Sequence, residues 1–177
     1  MNTNKRRALN ESKYNERRAE CDEALKIINK YHKADTLCSL TPEEFENLKS
    51  YIKKINIRNR AEHAVNENQR VKMAFTALNH GKLLEFGNLL TESHNSLRDL
   101  YEVTGKELDT IVSEALMAEG CIGARMTGAG FGGCAIAIVL KAKADEFKKT
   151  VAEKYEKIIG YKPDFYITGI GNGTCEI

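Results

Sequence analysis

Four of the six residues from Gly128 to Gly133 are glycine. No helix or strand interior tolerates that density, because each glycine carries an entropy penalty on ordering. The run is therefore a loop that needs positive φ, or one whose backbone is approached very closely. It lies within Gly123 to Leu140, GARMTGAGFGGCAIAIVL. Cys134 to Leu140 alternates small and β-branched apolar residues and predicts a buried strand. A loop of this kind commonly holds an anion on a row of backbone N–H groups.

Other readings of the loop can be weighed. Gly128, Gly130 and Gly133 satisfy G-x-G-x-x-G, and Glu153 stands at about the spacing of a ribose-binding acid. A dinucleotide fold needs a helix directly after the glycines, whereas a strand pattern follows here, and Glu153 sits inside a helical pattern. A protein-kinase loop also fails, since no catalytic-loop or metal-binding triplet follows. A tight glycine turn joining two paired strands stays open beside the anion-binding loop.

The segment RMTGAGFGGC resembles the third conserved motif of galactokinases, members of the GHMP small-molecule kinase superfamily. Asn4 to Arg7, Ser12 to Arg18, Glu92 to Asp99 and Tyr101 to Val103 also resemble galactokinase segments, in the right order. The resemblance covers essentially residues 1–177, but only the C-terminal part of that family's chain. It implies a GHMP kinase C-terminal domain over 1–177 whose N-terminal ATP- and sugar-binding half is missing. Met1 then matches an internal methionine.

Composition sets wide bounds. A length of 177 residues suits one domain with a substantial core. A net charge of +2 argues for neither nucleic acid nor an acidic partner. The five cysteines show no C-x-x-C or Cys/His metal pattern, which predicts no metal and a reduced, cytoplasmic setting. No apolar run approaches membrane-spanning length, so no membrane partner is expected.

The pattern predicts helices first. Ser12 can cap one reaching about Lys33. Thr41, Pro42 and Glu44 form a capping box with proline at N1, and Leu40 and Phe45 suit a hydrophobic staple. A long helix from about Ile57 to His80 would turn Ala61, Ala64 or Val65, Val71, Phe75 and Leu78 inward, with Gly81 at C′. Helices follow from Lys82 to about Leu97, from a second capping box at Thr104 and Glu107 to Gly120, and from Lys143 to about Gly160. Phe165 to Gly169 predicts a final strand. The fold class is α+β: a small, mostly antiparallel sheet with helices packed on one side and a helical N-terminal part. This is compatible with the ferredoxin-like split βαβ arrangement that the resemblance implies.

The chemistry expected is that of part of a site. The candidate loop near phosphate or sugar is Thr127, Gly128, Ala129, Gly130, Phe131, Gly132 and Gly133, with Phe131 as an anchor. Arg125 could give a phosphate a cation, or could simply be an exposed strand residue. His94 suits a helix-end histidine bonded to backbone better than a base. Tyr14 alone would be a packing aromatic; the resemblance makes it a sugar-contacting, substrate-binding residue. Arg17 and Arg18 are expected to be structural or surface charges. The ATP phosphate loop and catalytic Asp of galactokinases have no counterpart here, so this chain holds no catalytic residue and no bound cofactor is expected. The resemblance assigns ATP, Mg2+ and D-galactose to the parent enzyme. Two rivals remain: another GHMP small-molecule kinase, and a non-enzymatic galactose- or ATP-responsive regulatory protein of the same fold.

Overall fold

The computed structural model describes residues 1–5, 11–169 and 171, and it gathers their apolar side chains into two clusters. The elements are α1 (Glu11–Ile28), α2 (Pro42–Leu48), α3 (Ile55–Asn79), α4 (Leu83–Asp99), α5 (Lys106–Met117), β1 (Cys121–Thr127), β2 (Cys134–Val139) and α6 (Ala144–Ile159). One cluster joins Ala24 and Ile28 of α1, Phe45 of α2, and Ile57, Ala61 and Val65 of α3. The other packs Leu108, Ile111 and Val112 of α5 and Phe147, Val151 and Tyr155 of α6 under Ala124, Met126 and Ala135 of the sheet. Helix α4 connects the two, packing on β1 and on α3.

Local signals account for most boundaries. Thr41 and Glu44 close the predicted capping box, with Pro42 opening α2 and Leu40 and Phe45 both buried. Gly160 ends α6 in the left-handed conformation. Helix α1 stops at Ile28, short of Lys33, and the Asn29 side chain then accepts the Ala34 N–H at 2.7 Å. The second capping box does not form. Helix α5 is capped by Gly105 without a side-chain bond, and Glu107 instead accepts Lys5 Nζ at 2.8 Å.

Strands β1 and β2 form an antiparallel hairpin with Thr127 opposite Cys134 and Arg125 opposite Ile136. Residue Asn2 bridges both Cys134 and Asp164. Residues Phe165 to Gly169 do not form the expected strand. A strand needs a ladder partner. Among the described residues, Asn2 supplies one such position, to Asp164. Asn4, at φ 55°, turns the chain away on the other side.

Two further findings bear on the site. Gly87 of α4 lies against β1 so closely that a Cβ there would fall 2.1 Å from Ile122 O, and one on Gly123 would fall 2.2 Å from Gly87 O. The inward face predicted for α3 holds only for its first half. Val71, Phe75 and Leu78 are exposed, because a 25-residue helix outruns the first cluster and its second half turns Ala77 to the interior instead. With Phe86, Leu89 and Leu90 these exposed residues line an apolar groove between α3 and α4.

Candidate functional site

The glycine loop joins β1 to β2, and its backbone is left-handed almost throughout. Gly128, Gly130, Gly132 and Gly133 have positive φ, and so does Phe131 at φ 59°. The loop is held from two sides. On one, Thr3 N–H donates to Gly133 O at 2.8 Å, Thr3 Oγ1 donates to the same oxygen, and Gly133 N–H donates back to Thr3 Oγ1 at 3.1 Å. Thr3 is itself fixed by Tyr155, whose hydroxyl donates to Thr3 O at 2.8 Å. Burial pushes the Tyr155 hydroxyl pKa well up, so it stays a donor. On the other side, Phe131 N–H donates to Val103 O at 2.6 Å.

The remaining loop amides differ. Among the described residues, no acceptor meets the N–H groups of Gly128, Ala129, Gly130 or Gly132. Thr127, Gly128 and Ala129 are exposed, and a Cβ on Gly128 would meet nothing within 4 Å. This end of the loop presents free donors to solvent, the arrangement that receives an anion. Phe131 is half-buried against the second cluster and Lys13 Nζ stands 5.3 Å from its ring centroid. Helix α1 thus reaches the loop through Lys13, and Tyr14, the next residue, is exposed. Tyr101 sits below; burial first, and then nearby Cys21 and Tyr14, hold its hydroxyl protonated.

Other polar residues pair elsewhere. Arg125 turns toward α3: its Nη1 donates to Glu67 Oε1 at 3.1 Å and its Nε to Met126 O at 3.0 Å. His94 bonds to backbone: Met126 N–H donates to Nδ1 at 3.2 Å, so Nε2 carries the ring proton. That Nε2 faces Asp109 Oδ1 at 3.4 Å, and among the described residues neither buried atom has a hydrogen-bond partner. Asp109 is the acid that sequence reading did not find, since α5 brings it from another part of the chain. Ser93 donates to Glu67, and Ser96 pairs with His63 Nδ1 at 2.8 Å. Burial lowers the His63 pKa to about 4. Burial opposes ionisation of Glu67, but hydrogen bonds from Ser93 and Arg70 outweigh it and hold the carboxyl below its usual range.

Sequence reasoning missed Thr3, Lys13 and Val103 as partners of the loop. Each lies far from it in the chain, and no local pattern ties them to the loop.

Residues 74–157 match the family model described as GHMP kinases C terminal. Over 177 residues the chain is 66% identical to the galactokinase of Clostridium tetani. Residues 74–157 form a GHMP kinase C-terminal domain. It is 55% identical over 177 residues to a Clostridium perfringens galactokinase. The Lactococcus lactis galactokinase, solved in complex with galactose, superposes with a TM-score of 0.95 at 49% identity, over 99% of this chain and 45% of that one. The chain spans 45% of the C. tetani protein's length and 46% of the C. perfringens protein's. Among the described residues, no helix is long and apolar enough to cross a membrane.

Proposed function

We propose that the chain is the C-terminal part of a galactokinase, a GHMP domain over 1–177 whose parent enzyme transfers the γ-phosphoryl of MgATP to the anomeric hydroxyl of D-galactose in the cytoplasm. The observation that carries this reading is the 66% identity to a galactokinase over all 177 residues. Its role in the reaction is that of one wall of the site. Phosphoryl transfer depends on positioning and on stabilising charge on the moving group. The free amides of Gly128, Ala129 and Gly130 offer donors to a phosphate or sugar oxygen without any side chain in the way. Tyr14 offers a hydroxyl to the sugar from α1. Thr127 and Phe131 frame the loop, Gly133 locks it to Thr3, and Gly132 packs against Lys5. ATP brings the phosphoryl group and its metal ion; this chain supplies neither the base nor the metal ligands.

The test is a fusion of this chain to the N-terminal portion of the C. tetani galactokinase. The fusion is expected to phosphorylate galactose with MgATP, and Tyr14→Phe in it to raise KM for galactose. A folded fusion that turns over another sugar or small alcohol, and not galactose, would overturn the reading.

A further inference from the structure

Helix α1 and the glycine loop come from distant parts of the chain and meet across one turn, residues 100–103. That turn is gripped by two buried arginines. Arg60 of α3 donates from Nη1 to the Leu100 carbonyl, from Nε to Glu20 Oε2 at 2.8 Å, and from Nη2 to Glu102 Oε2 at 2.6 Å. Arg17 of α1 donates from Nε to Tyr101 O at 2.7 Å, from Nη2 to Glu102 O at 3.3 Å, and from Nη1 to Glu20 Oε2 at 3.2 Å. Three successive carbonyls are thus taken by guanidinium groups. The next carbonyl, that of Val103, receives Phe131 N–H, and Gly130 packs on it. Glu102 holds φ 54°, a conformation that non-glycine residues seldom adopt unless surroundings impose it.

We propose that Arg17 and Arg60 are positioning residues that set where the glycine loop stands relative to the Tyr14 face of α1. Both side chains are deeply buried, with exposures of 10% and 3%, and they share the carboxylate of Glu20, to which Asn56 also donates. Arg17 is one helical turn from Lys13, which sits over Phe131. One face of α1 therefore touches the loop directly and also, through Arg17, holds the turn on which the loop rests. Ordinary ion pairing would need only the carboxylates. Saturating three consecutive main-chain oxygens instead fixes the path of the backbone, and a planar five-donor fork does this where lysine cannot. The significance for galactose phosphorylation rests on the proposed function; the mechanical coupling does not.

The experiment is residue-resolved amide hydrogen exchange on the 177-residue chain, with Arg60→Lys and Arg17→Lys. Each variant keeps the charge opposite Glu20 and loses fork contacts to the turn. Phe131 N–H is expected to exchange about tenfold faster or more, the effect of losing one charge-assisted hydrogen bond on a local opening. The amides pairing β1 with β2 should keep their rates. Arg98→Lys, at an exposed arginine bonded among the described residues to Asp99 alone, is the control and should change nothing at Phe131. Unchanged Phe131 exchange in both variants would overturn the proposal. So would a uniform acceleration of all amides, which would make the arginines contributors to global stability only. Neither result depends on sugar turnover, so loss of this inference is distinct from failure of the galactokinase fusion.

Discussion

Gly130 and Gly128 have nearly the same φ, +83° and +84°, but opposite surroundings. Replacing either by alanine imposes a left-handed conformation on an L-residue, a cost of about 1–2 kcal/mol. At Gly128 that is the whole cost, since the new methyl meets open space. At Gly130 the methyl would lie 2.1 Å from Val103 O and 2.9 Å from Val103 Cβ. The clash is with backbone, so the loop must move, at an overpacking cost of about 1–3 kcal/mol. The oxygen it strikes is the acceptor for Phe131 N–H, whose loss adds about 0.5–1.5 kcal/mol. Gly130→Ala should therefore destabilise by about 2.5–6.5 kcal/mol and Gly128→Ala by about 1–2, against a total stability of about 5–15 kcal/mol for a domain of this kind. Urea unfolding of both variants, with a common m-value, measures the difference. Equal destabilisation by the two substitutions would refute the packing argument. In the galactokinase fusion the order should invert for function: Gly128→Ala, well folded, loses kcat/KM because its methyl stands where the ligand approaches.

Further outcomes are expected. His63 is held neutral by burial, so between its unfolded value of 6.5 and about 4 the unfolded chain binds a proton that the fold refuses; stability should fall through that window by about 3 kcal/mol as pH drops. Glu67, with its carboxyl held low, extends the loss further toward acid, and His63→Gln should remove the upper part of the slope in unfolding curves taken from pH 7 to 4. Purified alone, the 177-residue chain should show no galactose phosphorylation by MgATP above a blank in a coupled assay. The apolar groove lined by exposed Phe75 and Leu78 should make the chain self-associate at high concentration, and Phe75→Ser with Leu78→Glu should shift light scattering toward monomer. Tyr155→Phe leaves Thr3 O without its buried donor and should lower stability by about 1–3 kcal/mol.

What could be seen in the sequence was local. Thr41, Pro42 and Glu44 are neighbours and cap α2 without help, and Gly81 and Gly160 take the helix-ending conformations their places require. The loop announced itself because glycine density is a local property. Errors arose where a distant residue intervened. Glu107 left its capping role because Lys5 reached it, and Val71, Phe75 and Leu78 kept a helical period with no opposing layer to bury them. Phe165 to Gly169 has strand composition but only Asn2 beside it, at Asp164. The supports of the site are of this second kind. Arg17 and Arg60 lie 43 residues apart on two helices, and only the fold brings both to one turn.

The contact of Gly87 with Gly123 makes α4 and β1 commensurate. Seven residues along α4 from Gly87 stands His94, and three residues along β1 from Gly123 stands Met126, whose N–H that histidine receives. Seven helical residues advance about 10.5 Å and three strand residues about 10 Å, so the two contacts can be met together. The pair works as a vernier with coincidence marks at both ends. Inserting or deleting a single residue in 88–93 or 124–125 would spoil one mark while keeping the other. Thr127 follows the second mark directly, so the point from which the glycine loop departs is gauged by a helix that never touches the loop's amides.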